Sequence, residues 1–120
     1  MSQLSNGTRK AVKVPVAIAG ALLQDGEVVE AVVGGKLEGN AAVVVLTDRG
    51  LLVVDERQWK PFAERIAVDA GLQVQGWQDD RTASLTLIVG GRQLVVDQIA
   101  DRPLAVDLAQ RIRLRTGAPA

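Results

Sequence analysis

Two adjacent carboxylate pairs, Asp55-Glu56 and Asp79-Asp80, are the residues of this 120-residue chain that come nearest to chemistry. Neighbouring carboxylates can share a proton or hold a hard cation through their oxygens. Asp69 could add a further oxygen to the second pair. Neither pair has the company that catalysis requires. The chain has no His and no Cys. That removes the imidazole base of histidine-dependent hydrolases and the thiolate and imidazole ligands of zinc sites. Disulfides go with them, and the lack of cysteine fits a reducing compartment. Asp55-Glu56 has no positioned nucleophile to complete a mechanism, and paired aspartates in a turn ordinarily cap their own backbone. Gly34-Gly35-Lys36 lacks the spacing of a phosphate-binding loop. These residues point to a protein that is not an enzyme, with no catalytic residue, metal site or cofactor.

Residues that could recognise a partner are better represented. Trp59 and Trp77 stand out in a chain whose one other aromatic residue is Phe62. A tryptophan is either a core plug or an exposed anchor. Packing in the core or at its rim is the general expectation for the two, and Trp59, beside Lys60 and Pro61 in a loop, is the better anchor. Trp59, Lys60 and Trp77 are therefore the candidate partner-binding residues. Arg9, Lys10 and Lys13 near the start, with Arg111 and Arg115 near the end, are candidates for contact with an anionic surface. Against them, 14 basic residues balance 14 acidic ones, without the basic excess of a nucleic-acid binder. Solvated charge at a helix end accounts for Arg111, Arg113 and Arg115 equally well.

The elements that must position these residues follow from periodicity. Residues 1–8 are polar and predict a frayed tail. Val14–Leu23 is a ten-residue run of almost wholly apolar residues, too short to span a bilayer. Pro15 suits the first turn of a helix over residues 15–24, although Val12, Val14, Val16 and Ile18 also alternate as a strand would. Residues 27–37 predict the first sheet strand, with a bulge or bend at Gly34-Gly35. Ala41–Leu46 and Leu51–Val54 flank the turn Thr47-Asp48-Arg49-Gly50. They are apolar at nearly every position, so both faces should be covered, which favours a closed or strongly curved sheet. Asp55–Gln58 predicts a loop. Residues 61–70 fit a helix face or a short strand at Ile66 and Val68, and a meander of neighbours favours the strand. Leu72 and Val74 alternate with Gln73 and Gln75, which puts Trp77 on the glutamine face unless Gly76 bulges. Residues 82–89 and 93–99 predict a hairpin around Gly90-Gly91. Asp97, inside an apolar strand, should face solvent. Asp101 should cap a final helix with Pro103 in its first turn, Leu104, Leu108 and Ile112 on its apolar stripe, and Asp107 and Arg111 paired across one turn.

Certain segments resemble the bacterial pleckstrin-homology-like (PH-like) domain family. They are Asp25-Gly26-Glu27 entering the first strand, Val45–Val54 at the second hairpin, Ile66-Ala67-Val68 before Leu72-Gln73-Val74, Leu85-Thr86-Leu87, and the closing helix. The resemblance runs from Asp25 to Arg115. It implies an α+β, mainly β fold: a partly open barrel of about seven antiparallel strands capped by a C-terminal α-helix, here with a short N-terminal helix. The domain would span 25–116, with a tail and short helix at 1–24 and a C-terminal tail at 117–120. Some relatives bind phosphoinositide headgroups through Lys and Arg around the first strand-strand loop. Here that loop offers Lys36 beside Glu38, too few donors for several phosphates. The expectation is a non-enzymatic cytoplasmic module that binds a protein partner or a second copy of itself. The alternative is a peripheral module on the inner face of a membrane, using the basic residues and the apolar N-terminal segment. No nucleic acid and no small-molecule substrate are expected.

Overall fold

The computed structural model describes residues 3–57 and 60–117. Two short helices, α1 (Asn6–Ala11) and α2 (Lys13–Leu22), precede seven strands and a closing helix. The strands are β1 (Val29–Leu37), β2 (Asn40–Thr47), β3 (Gly50–Asp55), β4 (Phe62–Ile66), β5 (Leu72–Gln78), β6 (Ala83–Val89) and β7 (Arg92–Ile99), and α3 is Arg102–Thr116. All pairings are antiparallel, in the order β4-β3-β2-β1-β7-β6-β5. This is the mainly β, α+β architecture expected of a PH-like fold. The sheet has two blades. β1–β4 and β5–β7 are each meanders, and they join where Lys36 lies opposite Asp97 and Leu37 opposite Val96.

The corner between the blades rests on two local devices. On β7, two residues separate Val96 from Ile99 while one separates Leu85 from Ala83 on β6, so β7 carries one extra residue. Gln98 takes φ +53° there. A left-handed conformation costs a residue with a Cβ roughly 1 kcal/mol. Gln98 is exposed, so Gln98→Gly should raise stability by about 0.5–1 kcal/mol in urea unfolding. On β1, Gly35 lets β7 cross closely. A Cβ added there would lie 2.4 Å from the carbonyl oxygen of Asp97. The bulge expected at Gly34-Gly35 is absent, because the β1–β2 register runs unbroken through both glycines and shifts only between Val29 and Ala31. The pair serves close approach instead. A Cβ at Gly34 would meet Thr8 at 2.6 Å.

Both faces of β1–β3 are buried, for two different reasons. Ala31, Val33, Val44, Leu46, Leu51 and Val53 face the concave side, where Ala105, Leu108, Ala109 and Ile112 of α3 cover them. Leu104 is partly buried and packs on the same core. Val32, Val43, Val45, Leu52 and Val54 face the convex side and pack under Leu4, Val12 and Ala19. Curvature accounts for the first face, and the N-terminal helices account for the second. Residues 4–8 are accordingly part of the fold. Leu4 and Thr8 are buried, and the Ser5 hydroxyl caps α1 by accepting from the Thr8 amide. The Ser5 amide in turn donates to Asp101 Oδ2 at 3.1 Å. Asp101 stands at the N-cap of α3, but its carboxylate serves α1 and makes no capping bond to its own helix.

The region of residues 61–70 forms strand β4, with Phe62 and Ile66 turned to the concave core. Val68 lies beyond the strand but packs on that core. Asp55 ends β3 instead of opening a loop, and its side chain is fully buried. It accepts from the Phe62 amide at 3.1 Å and from Arg57 Nε at 2.8 Å, fixing the β3–β4 connection. Arg57 also lies 5.0 Å from the centre of the Phe62 ring.

Candidate functional site

An open antiparallel sheet has two edges, and they differ in chemistry. β4 is guarded. Pro61 precedes it, Arg65 alternates with inward-turned Glu64, and Glu64 pairs with Arg92 at the start of β7. Inward and alternating charges on an edge strand discourage a further strand from pairing with it. β5 reads Leu-Gln-Val-Gln-Gly-Trp-Gln and carries no charge.

The register identifies which β5 groups are free. Gly90 and Gly91 both have positive φ and form a two-residue hairpin turn, so Val89 and Arg92 exchange both backbone bonds. Alternation then turns Ile88, Thr86 and Ser84 toward β5, where they lie opposite Gln73, Gln75 and Trp77. The backbone groups of Val74 and Gly76 therefore point away from the sheet. One of them is occupied: the Arg113 guanidinium donates to the Val74 carbonyl at 3.3 Å. Arg113 comes from α3, which runs beside this edge, and it divides the intervening groove in two. One half, of about 190 Å³, is lined by Gly76, Trp77, Leu85, Val106, Ala109 and Gln110. The other, of about 220 Å³, is lined by Leu72, Val74, Gln75 and Thr116.

Trp77 borders the first half. It lies on the glutamine face as alternation predicted, since the β5–β6 register is continuous through Gly76. It is 64% exposed, so the expectation of core or rim packing does not hold for it. Val106 on α3, which lines the same half, is also exposed. Lys60 is exposed at the entry to β4, at the opposite edge of the sheet from Trp77. Trp59 lies outside the described residues. Sequence reasoning missed Val106, Gln110 and Arg113 as neighbours of Trp77, because which helix face borders β5 is a tertiary fact.

The basic candidates do not assemble into one patch. Arg9, Lys10 and Lys13 are exposed on α1 and at the start of α2, and α1 is tied to Asp101 at the beginning of α3. Arg115 lies at the far end of α3, roughly 20 Å away at 1.5 Å per residue. Its guanidinium donates to the carbonyls of Thr47 and Asp48 and lies 3.9 Å from Glu30. Arg111 pairs with Asp107 at 2.9 Å, as expected.

The carboxylates are also in use. Asp79 Oδ1 accepts from the amides of Thr82 and Arg81, each at 2.8 Å, and these bonds hold its carboxyl below the usual range. Asp69 accepts from Gly71 in a separate turn. Among the described residues no group of three or more His, Cys, Asp or Glu is placed to hold a metal ion. Nor is any described helix long and apolar enough to cross a membrane. Asp97 is exposed, as its alternation predicted.

Compared with protein-family models, curated proteins and solved structures, the chain finds no match.

Proposed function

We propose that this protein is a non-enzymatic binding module of PH-like type that takes an extended segment of a protein partner as an added strand along β5. The observation that carries the reading is an uncharged sheet edge with outward-turned backbone groups at Val74 and Gly76, bordered by a groove that exposed Trp77 helps to line. Strand addition draws affinity from main-chain bonds and specificity from pockets for alternate side chains. The two halves of the groove supply such pockets, and Trp77 supplies a large, rigid contact area. The setting that goes with this reading is the bacterial cytoplasm. Contact with anionic lipid is the weaker reading, because Arg111 and Arg115 already serve Asp107 and the β2–β3 turn, far from Arg9 and Lys10.

Selection of linear peptides from a random library on the immobilised protein, followed by calorimetric titration, tests it. Peptides with micromolar Kd are expected. Trp77→Ala should weaken them at least tenfold while changing folding stability by no more than about 0.5 kcal/mol, as for an exposed side chain. Gly76→Pro removes one edge amide without touching the β5–β6 ladder and should weaken them similarly. Failure to enrich any peptide, or peptides indifferent to both substitutions, would overturn the reading.

A further inference from the structure

Helix α2 is apolar on the side that faces water. From Val14 to Leu23 it has no polar side chain. Pro15 and Ala19 are buried against the sheet, while Val14, Ala17, Gly20, Ala21 and Leu22 are exposed. A helix that is apolar all round belongs in an interior, yet one whole face of this one is uncovered. Val28, past the end of the helix, is exposed as well.

We propose that this face is an interface between two copies of the chain, with the two α2 helices packed antiparallel about a twofold axis. Charge decides the occupant and the direction. Lys13 stands exposed at the N-terminal end of the face, and Arg9 and Lys10 precede it on α1. Asp25 stands exposed past the C-terminal end, where the helix dipole is also negative. Parallel packing would set Lys13 against Lys13. A twofold between Ala17 and Ile18 sets Val14 against Ala21 and brings Lys13 to the partner's C-terminal end, where Asp25 follows, so the patch is complementary to itself, as an isologous contact requires. A lipid surface is less well matched. Insertion draws on bulky apolar side chains, and the centre of this face is Ala17, Gly20 and Ala21, which contribute little area but let two backbones approach.

A helix of ten residues is only about 15 Å long. The interface therefore falls at the small end of specific contacts, and the dimer should be weak, with a Kd of roughly tens of micromolar. Sedimentation equilibrium of the full chain from about 5 to 500 µM is the experiment. A concentration-dependent dimer is expected, abolished by Ala17→Glu. Lys13→Glu and Asp25→Lys should each weaken it about fivefold, and the double variant should restore it. A chain that stays monomeric throughout, a dimer indifferent to Ala17→Glu, or charge variants without mutual rescue would each overturn the proposal. So would a monomer that instead sediments with vesicles containing phosphatidylserine through Val14 and Leu22. Because Trp77→Ala should leave the dimer intact, and Ala17→Glu should leave peptide binding intact, failure here is separable from failure at the β5 groove.

Discussion

Gly35→Ala is expected to destabilise the protein by about 3 kcal/mol in urea unfolding, the upper end of what overpacking costs. The added methyl would stand 2.4 Å from the Asp97 carbonyl oxygen, 2.9 Å from Ile99 and 3.1 Å from Val96. The first obstacle is backbone, and it belongs to the strand that joins the two blades at Lys36–Asp97. Relief requires β7 to move away from β1 at the corner that holds them together. The neighbouring glycine makes the control. At Gly34 the methyl would meet the Thr8 methyl at 2.6 Å and the two Val12 methyls at 3.1 and 3.2 Å. All are side-chain ends on helices that can lift. Gly34→Ala should therefore cost less, about 1–2 kcal/mol. It should also speed limited proteolysis after Arg9, Lys10 or Lys13, while Gly35→Ala exposes the whole chain together. Equal costs and a common cleavage pattern would show that the two glycines do not divide the labour in this way.

The glycine pair also marks how far the chain alone could be read. Glycines inside a strand signal either a kink or a close approach, and periodicity does not separate the two. The doubly apolar strands β2 and β3 were legible as buried on both faces, because alternation fails visibly in Ala-Val-Val-Val-Leu and Leu-Leu-Val-Val. What covers the second face was not legible. The cover begins at Leu4, a single leucine among polar residues, which carries no period. Pro15 at the start of residues 15–24 hinted at a helix, while Val12, Val14, Val16 and Ile18 alternated as a strand would. A short strand in residues 61–70 was read at Ile66 and Val68, even though Phe62, Ala63, Ile66 and Ala67 also satisfy helical spacing; the strand formed is Phe62–Ile66, which keeps Ile66 and leaves Val68 beyond its end. The meander around it decided the matter.

At the candidate site, the side on which Trp77 lies followed from alternation alone. Its exposure did not. A tryptophan on the outer face of β1–β3 would be covered by α1 and α2, whereas the outer face of β5–β7 has no such cover among the described residues. The groove needs α3 to be placed beside β5, and Arg113 to find the Val74 carbonyl 39 residues away. Such a contact leaves no local pattern in the chain.

Acid should unfasten the fold at Glu27. Its side chain is fully buried between the end of α2 and the strands, and it receives Arg65 Nη1 at 2.6 Å, the Thr47 hydroxyl and the Gln24 amide. Arg65 also donates to the Leu22 carbonyl, so one ion pair ties the α2–β1 connection to β4. The Arg65 guanidinium, ahead of the Thr47 and Gln24 bonds, holds the Glu27 carboxyl down to about 2, from an ordinary value of 4.5. A carboxylate whose pKa is lowered in the folded state contributes stability in full above its unfolded value. It loses that contribution as pH falls through the window between the two. Stability should therefore decline from about pH 4.5 toward pH 2, by about 2 kcal/mol once solvent screening is allowed for, since Arg65 is 30% exposed. Glu27→Gln should cost about 2 kcal/mol at pH 7 and flatten that acid limb. Arg65→Met should cost about 3 kcal/mol at pH 7, because it leaves a buried carboxylate uncompensated. In that variant desolvation would push the Glu27 carboxyl up, so the deficit should shrink as pH falls and the proton goes on. Urea midpoints at pH 7, 4.5 and 3 measure both. If Arg65→Met lost as much stability at pH 3 as at pH 7, the Glu27–Arg65 pair would not be what holds the N-terminal helices to the sheet.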